Sequence, residues 1–401
     1  METSFDYVVI GAGSAGCAVA GRLADSGATV AVLESGGSDH GGIVTVPMGI
    51  AVTARRPHAH NYAYRTEPQP ALGGRRGHQP RGRGLGGSSS INGMIYVRGT
   101  PSDYDLWAAL GAEGWAWKDV LPYFRRSEGN ERFAGRNDDP LHGGTGPLRV
   151  VDPRTPNPVA RAFVEAPESA GYAHNHAFHG VRQEGVGHYQ VTQRNGERWN
   201  AARAYLHGGD ASAPSRGRAN LQVLTGCQVL RIVFDDARRA VAVELQRDDG
   251  QVQTVQARRE IVLSAGAFNS PQLLMASGIG PGEHLRELGL PVVADLEGVG
   301  RNLQEHPDVA LNTRVDSTDL FGLSLAGAWR MLGEFSRYRR LRSGMLSSAP
   351  AEAGGFIRST PEAAEPDLQL HFVQAMASPK LQRGHGHSTH VCVLRPHSRG
   401  E

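Results

Sequence analysis

The sequence is poor in cysteine and contains no long apolar run. Its 401 residues include three cysteines, and no two of them form a Cys-x-x-Cys pair. An odd number of cysteines without such a pair predicts no disulfide framework. No apolar run reaches the roughly 18 residues that a membrane span needs, and a strand-like segment starts at residue 5, which leaves no room for a signal peptide. We therefore expect a cytoplasmic protein without a transmembrane segment.

Lysine is almost absent as well. Lys118 and Lys380 are the only two, so 40 of the 42 basic residues are arginines. Neither lysine lies in a P-loop and no Gly-x-Ser-x-Gly elbow occurs, which excludes a P-loop nucleotidase and a hydrolase of the elbow type. Forty acidic residues bring the net charge to +2, which argues against a general nucleic-acid binder.

The densest basic cluster follows a helix-like stretch that begins at Ser324. It consists of Arg337, Arg339, Arg340 and Arg342. We interpret it as a solvated helix end, with a peripheral membrane contact as the alternative that the sequence leaves open.

The N-terminal residues have the pattern of a βαβ unit. Residues 5–10 predict a buried strand, residues 14–26 a helix closed by Gly27, and residues 29–34 a second strand. Gly11, Gly13 and Gly16 form Gly-x-Gly-x-x-Gly between the first strand and the helix. In this context the glycines allow a tight turn, a close approach to a pyrophosphate and close helix packing. The pattern predicts a dinucleotide site.

Glu34 stands at the end of the second predicted strand. Its carboxylate can accept hydrogen bonds from both ribose hydroxyls and would repel a 2′-phosphate, which disfavours NADP. The motif alone does not distinguish NAD from FAD.

A second glycine-rich tract lies within a long stretch, residues 67–93, that has no helical period. Residues 83–93, RGLGGSSSING, present backbone amides and hydroxyls without bulk, as an arm across a pyrophosphate or a flat flavin ring requires. A flexible linker is the alternative. Apolar residues follow at once, which favours the arm.

Farther along, residues 107–128 predict two short helices, and strands are predicted at 228–234, 240–247 and 251–257, the last two joined by a turn at 248–250. Ser270 and Pro271 have the pattern of the N-cap and first residue of a helix that Gly278 ends.

Four tracts carry a resemblance to a known family. GRGLGGSSSINGMIYVRG (residues 82–99) and GAFNSPQLLMASGIG (266–280) resemble the two signatures of the glucose-methanol-choline oxidoreductases. EGVGHYQVTQRNGERWNAARAYL (184–206) and VGRNLQEHP (299–307) are similar to the choline dehydrogenase and aliphatic alcohol dehydrogenase branch of that family. The resemblance extends over the chain from residue 5 to its end.

The resemblance implies non-covalent FAD, because Ile91 stands where some members attach the flavin through a histidine. The implied cofactor-binding residues form three groups. They are Gly11, Gly13, Ser14, Gly16 and Glu34 in the first turn and strand; Gly84, Gly86, Gly87, Ser88, Asn92, Gly93, Met94 and Ile95 in the arm; and Val229, whose backbone matches the adenine contact.

The implied reaction is oxidation of a CH–OH group, with hydride transfer from a primary alcohol, choline-like or aliphatic, to flavin N5. Oxygen or a quinone would then accept the electrons. In the family a C-terminal histidine takes the hydroxyl proton, and relatives continue for well over a hundred residues beyond the position matching Glu401, so the catalytic residues are left unknown. An inactive, truncated FAD-binding fragment and an NAD-dependent dehydrogenase are the alternatives.

The implied fold is α/β, with a Rossmann-type FAD-binding domain and a discontinuous α+β substrate-binding domain. We place the FAD-binding domain at residues 1–155 and 220–310. The substrate-binding domain is placed at 156–219 and 311–401, incomplete at its C-terminus.

Two further kinds of residue attract functional hypotheses. His174, His176 and His179, like the triplet at 385, 387 and 390, read His-x-His-x-x-His, but no matching carboxylate or cysteine accompanies them, so we predict no metal site. His142 is interpreted as a solvated loop histidine. Glu352 could face a substrate cavity and favour a cationic alcohol.

Overall fold

The computed structural model describes residues 3–55, 57–207, 218–322, 324–375 and 387–394. The chain divides into two compact units. The first unit comprises Met1–Thr45, Gly49–Asn92 and Asn200–Gln304, and the second comprises Val46–Met48, Gly93–Trp199 and Glu305–Glu401. Among the described residues, no helix has both the length and the apolar composition that crossing a bilayer requires.

A six-stranded mixed sheet forms the centre of the first unit. In spatial order its strands are Leu221–Leu224, Val30–Leu33, Ser4–Ile10, Val252–Leu263, Ala240–Arg247 and Cys227–Phe234. The first four strands are parallel to one another, and the last two pair in antiparallel fashion. The α/β prediction for this part of the chain is confirmed.

The parallel strands are buried on both faces because their side chains alternate between two cores. Val8 and Ile10 pack in one cluster with residues of the antiparallel strands, whereas Val9 packs in the other. That second cluster includes small residues of the helix Ser14–Asp25. Burial on both faces explains why these strands are apolar at nearly every position.

The first helix follows the sequence prediction closely. It spans Ser14–Asp25, and Gly27 after it has a φ of +89°, the left-handed backbone that ends many helices. Its buried face is made of Gly16, Cys17, Ala20, Gly21 and Ala24. Such small side chains let the helix approach the sheet closely.

The strand Val252–Leu263 is longer than the predicted 251–257. Residues 252–256 pair with Ala240–Arg247, and from Gln256 onward the strand pairs with Ser4–Ile10 instead. Charged residues at 258–260 interrupt the apolar pattern, so the alternation alone does not reveal the second partner.

The predicted start of the helix near Ser270 is wrong. The helix spans Gly266–Ala276 and contains Pro271 in its interior. Pro271 cannot donate to the carbonyl of Ala267, so the helix passes through this residue with one hydrogen bond missing. The predicted end at Gly278 holds, with a φ of +86°.

A five-stranded antiparallel sheet organises the second unit. In spatial order its strands are Asp308–Arg314, Ser388–Leu394, Leu368–Val373, Ala351–Ile357 and Gly185–His188. The helix Pro158–Glu165 packs on it through Ala160 and Val164, which contact Ala353 and Phe372. This unit is therefore α+β.

The remaining elements are mostly short. The two predicted helices near 107–128 are present as Pro101–Ala109 and Trp117–Ser127. The other helices are Gly42–Thr45, Ile50–Thr53, Ala202–Leu206, Gly282–Glu287 and Leu325–Leu341, with single 3₁₀ turns at Pro47–Gly49, Pro70–Leu72, Gly87–Ser90, Glu131–Phe133, Ala166–Ala170 and Met345–Ser347. Two-stranded pairs join Tyr64–Arg65 with His78–Gln79, Ile95–Tyr96 with Gln190–Val191, Glu128–Asn130 with Leu148–Val150, Gln193–Arg194 with Glu197–Arg198, and Ile279–Gly280 with Ala294–Asp295.

The unit boundaries differ from the expected domain limits at 155, 219 and 310. Apart from the short segment Val46–Met48, the chain leaves the first unit after Asn92 and re-enters it at Asn200. The reason is the pairing of residues 93–155, because Ile95–Tyr96 pairs with Gln190–Val191 inside the second unit. Local composition and periodicity do not reveal a strand partner so far along the chain.

Candidate functional site

A cavity of about 730 Å³ lies at the carboxyl ends of the parallel strands of the first unit. Its wall includes Ile10, Leu33 and Leu263, each the last residue of its strand. The N-termini of the helices Ser14–Asp25 and Gly266–Ala276 also line it. Open α/β sheets bind ligands at this end, and helix N-termini favour anionic groups.

The three glycines of the first turn have different surroundings. Gly11 has a φ of +93°, and a Cβ on Gly16 would overlap the carbonyl oxygen of Gly11. By contrast, Gly13 has an ordinary extended backbone, and a Cβ there would meet only the carbonyl oxygen of Ser264, at 3.9 Å. Gly11 and Gly16 are thus required by the fold, while Gly13 leaves open space beside the cavity.

Glu34 joins three separate backbone segments. Its carboxylate accepts hydrogen bonds from the amides of Ala12, Gly36 and Gly84, each at 2.9 Å. The side chain also lines the cavity and is buried. The Ser35 hydroxyl donates to the same oxygen as Gly36 and Gly84, at 3.4 Å, so the other oxygen, which accepts only from Ala12, is the one with room for a ribose hydroxyl. Glu34 therefore holds backbone segments together and is also a candidate contact for the ligand.

The glycine-serine arm is held against the first turn rather than hanging free as a linker. The amide of Gly86 donates to the carbonyl of Ala12 at 2.8 Å. Gly87 has a φ of +52°, and a Cβ on it would lie 2.7 Å from the Cα of Gly13. Gly87 and Ser88 line the cavity, whereas Gly84 and Gly86 are not in its lining and bond through their amides to Glu34 and Ala12.

A buried polar group supports the arm from the other side, and the sequence did not predict it. Asn200 donates to the hydroxyl of Ser90 at 2.8 Å and to Asp39 at 3.0 Å. His207 contacts Asp39 at 2.9 Å. Burial by itself would raise the pKa of Asp39, but the hydrogen bond and charge of His207 outweigh it and the pKa is lowered. No sequence pattern connects Asp39 with Asn200 and His207, because they are far apart in the chain.

The remaining wall is partly aromatic. The rings of Tyr62 and Tyr64 stack 5.2 Å apart, and the Tyr64 hydroxyl donates to Asn269 at 2.8 Å. Arg81 lies over the ring of Phe268 at 4.3 Å. The predicted adenine contact, Val229, also lines the cavity. The aromatic residues have no spacing that would have identified them.

The last four predicted cofactor residues of the arm do not line this cavity. Asn92 is exposed in the first unit, and Gly93, Met94 and Ile95 belong to the second unit. Met94 is buried with a φ of +63°, which is uncommon for a residue other than glycine. Its carbonyl accepts from the amide of Thr192 at 2.9 Å.

The sequence profile of the GMC oxidoreductases matches residues 5–308. The chain belongs to the GMC oxidoreductase family. It is 41% identical to the alcohol dehydrogenase [acceptor] of Pseudomonas putida, over 99% of this chain and 71% of that protein. It is also 41% identical to the oxygen-dependent choline dehydrogenase of Rhizobium rhizogenes, over 98% of this chain and 70% of that one.

The fold comparison agrees with this assignment. A formate oxidase structure from Aspergillus oryzae, which concerns FAD modification in that enzyme, aligns with a TM-score of 0.85 at 25% identity. The alignment covers all of this chain and 74% of the other.

The second unit of this GMC oxidoreductase contains a buried ionic cluster around Glu128. Its carboxylate accepts from Arg98 at 2.6 Å, Asn130 at 2.9 Å and the amide of Gly143 at 3.0 Å, and it contacts His142 at 3.3 Å. The interpretation of His142 as a solvated loop residue is therefore wrong. The charge of Glu128 requires buried partners, and His142 is one of them.

His179 completes this cluster. Its Nε2 lies 3.8 Å from Glu128, and burial lowers the pKa of His179 to about 4, which leaves the ring neutral. Glu128, His142 and His179 present three ligand atoms within 4.8 Å of one another. A cation bound there would have to displace the donors that already occupy Glu128.

Glu352 is fully buried in the strand Ala351–Ile357 of this GMC oxidoreductase. One carboxylate oxygen accepts from the amide of Asn157, and the other bonds to the Ser348 hydroxyl at 2.7 Å. Burial raises the pKa of Glu352 to about 7. This environment does not support the hypothesis that Glu352 faces a substrate cavity.

The contrast between Gly13 and Gly16 gives a first prediction. Gly13→Ala should keep the fold, because the new methyl group meets open space, but should lose dinucleotide binding, because that space is where the backbone must approach a pyrophosphate. Gly16→Ala should reduce the yield of folded protein. Circular dichroism and flavin content of the purified variants measure both effects, and a Gly13→Ala protein with full flavin content would contradict the assignment.

Glu34→Gln should weaken both stability and cofactor binding. The glutamine NH₂ group must face at least one of the three backbone amides, which leaves a buried donor unsatisfied at a cost of about 1–3 kcal/mol. Glu67→Gln, on an exposed side chain of the same unit, is the matched control. Thermal unfolding and FAD titration check the prediction, and equal behaviour of the two variants would refute it.

Glu352→Gln should change how stability depends on pH. Because the folded-state pKa is about 7 and the ordinary value 4.5, the native state binds the proton more tightly, so this group's contribution is lost as pH rises from about 4.5 through 7. Glutamine keeps both hydrogen bonds without the charge. Above about pH 8, the free energy of unfolding of the variant should be higher than that of the parent protein by up to about 3 kcal/mol.

The measurement for Glu352→Gln is thermal unfolding from acidic to alkaline pH. Glu113→Gln, at an exposed position of the same unit, controls for the loss of one carboxylate. Parallel pH profiles for Glu352→Gln and the parent protein would show that the buried group titrates normally.

Proposed function

We propose that this protein binds FAD in the cavity of the first unit and oxidises the CH–OH group of a primary alcohol. The observation that carries the proposal is the open backbone at Gly13, faced by Gly87 of the arm and bordered by Glu34. Two glycine-rich segments from distant parts of the chain meet there, beside a helix N-terminus. Such an arrangement suits a pyrophosphate.

Several features favour FAD over NAD. A single glycine-rich turn suffices for a nicotinamide dinucleotide, whereas here a second segment, the glycine-serine arm, adds further backbone amides. The aligned formate oxidase structure concerns FAD, and it shares the fold over the whole of this chain. We assign Gly11, Gly13, Ser14, Glu34, Gly87, Ser88 and Val229 to direct contact with the cofactor, and Gly16, Gly84 and Gly86 to support.

When bound, FAD supplies the hydride acceptor, its N5 atom. The backbone amides of the first turn and of the arm would hold its phosphates, and Glu34 connects these two segments through its hydrogen bonds to the amides of Ala12 and Gly84. Asn92, Gly93, Met94 and Ile95 are proposed to lie beside the flavin ring. The uncommon backbone of Met94 supports a functional role, since strained residues persist where the surroundings enforce them.

The proposed substrate class rests on the two relatives in sequence. Proteins that share this family act on different compounds, as the names alcohol dehydrogenase and choline dehydrogenase of the two relatives indicate. A primary alcohol, either aliphatic or choline-like, is the substrate class that fits both names. Oxygen or a quinone would reoxidise the flavin.

The test is a spectroscopic titration of the purified protein. As isolated or after FAD is added, it should show the visible absorption of oxidised flavin, and this band should bleach when a medium-chain primary alcohol or choline is added without oxygen. Readmitted oxygen or a soluble quinone analogue then identifies the acceptor by the rate at which the colour returns.

The controls separate the components of the proposal. NAD should give no spectral change and no reduction by alcohol. A colourless protein that does not take up FAD would overturn the cofactor assignment. A yellow protein that no alcohol bleaches would overturn the proposed reaction while leaving the cofactor assignment in place.

A further inference from the structure

The helix Leu325–Leu341 of the second unit exposes an apolar stripe. Leu325, Trp329, Leu332 and Phe335 are 86%, 75%, 65% and 57% exposed. Their spacing of four, three and three residues places them on one side of the helix, over about 15 Å of its length. Single exposed apolar residues are common, but a contiguous row of large ones usually has a partner.

The opposite side of this helix is fixed to the rest of the second unit. Gly327 and Tyr338 are buried, and the Tyr338 hydroxyl donates to the carbonyl of Gly196 at 3.2 Å. Glu334 is also buried and accepts from the amide of Met345 at 2.6 Å. The apolar stripe therefore faces outward because the inner side is already occupied, and not because the helix lacks an anchor.

The charges of the helix are all of one sign on the outward side. Its only acidic residue is the buried Glu334, and its last turn carries Arg339 and Arg340. Neither of these two arginines forms an ion pair with a residue in the described part of the chain, whereas Arg337 and Arg342 lie near Glu334 and Glu197. An apolar stripe next to two arginines without ion-pair partners among the described residues is complementary to a layer that has an apolar interior and anionic groups at its boundary with water.

We propose that this helix lies on an anionic phospholipid membrane, with its apolar stripe among the acyl chains and Arg339 and Arg340 at the headgroups. Tryptophan, leucine and phenylalanine on one face, with arginine beside them, are what an interfacial helix requires. A second copy of the chain fits less well, because the same helix would bring more arginines and no exposed acid. This inference does not depend on the proposed flavin chemistry.

The experiment is co-sedimentation of the whole protein with lipid vesicles. The protein should sediment with phosphatidylcholine vesicles that contain phosphatidylglycerol, much less with pure phosphatidylcholine, and less as salt is raised. Removing Arg339 and Arg340 with Arg→Gln substitutions should weaken binding about fivefold for each arginine. Trp329→Ser combined with Leu332→Ser should abolish it.

Matched controls come from exposed positions of the first unit. Leu288→Ser removes an apolar side chain that is 59% exposed, and Arg75→Gln with Arg286→Gln removes two exposed cations. These variants should bind vesicles like the parent. Light scattering without lipid measures the oligomeric state of every variant and shows whether it is monodisperse, and circular dichroism shows whether it is folded.

Three results would overturn the proposal. The parent protein could stay in the supernatant with both kinds of vesicle. The control variants could lose binding as much as the helix variants do. Finally, the parent could be a dimer that Trp329→Ser with Leu332→Ser converts to monomers while vesicle binding is absent, which would assign the stripe to a second copy of the chain.

Discussion

The three hydrogen bonds from backbone amides to the Glu34 carboxylate hold together the segments around the candidate cofactor cavity. A buried carboxylate without partners is costly, so the chain must supply donors around it. The donors come from Ala12 in the first turn, Gly36 after the second strand and Gly84 in the glycine-serine arm. Because one side chain must satisfy all three amides, the arm is brought against the first turn although the two are about 70 residues apart in the chain. The close contact between Gly87 and Gly13 is consistent with this connection through Glu34.

Local rules predicted the first third of the site well. The strand, the turn glycines and the helix lie within about 30 residues, so their spacing carries the geometry directly. The same kind of rule failed at Ser270 and Pro271, because the helix begins at Gly266, soon after the strand Val252–Leu263, and continues through the proline. It failed again at His142, where a residue 14 positions away, Glu128, decides whether the ring is solvated or buried. Partners at such distances leave no periodic signal.

The division of the chain shows the same limit. The domain limits expected at residues 155 and 219 differ from those of the compact units, which separate at Asn92 and Asn200. What assigns residues 93–155 is strand pairing with residues around 190, and no local property of either segment reports it. The buried Asp39, Asn200 and His207 escaped prediction for this reason as well. The glycine-serine arm, in contrast, could be located from the sequence because its motif is contiguous, and the structure holds it against the first turn.

The strand Val252–Leu263 belongs both to the antiparallel hairpin and to the parallel part of the sheet. Its first residues pair with Ala240–Arg247, and its last ones pair with Ser4–Ile10 and end at the cavity wall. Detaching the hairpin would therefore disturb the strand that carries Leu263. Amide hydrogens on both sides of Gln256 should therefore exchange with solvent through a common opening event. The hairpin and the part of the cavity wall formed by this strand would then unfold as a single cooperative segment.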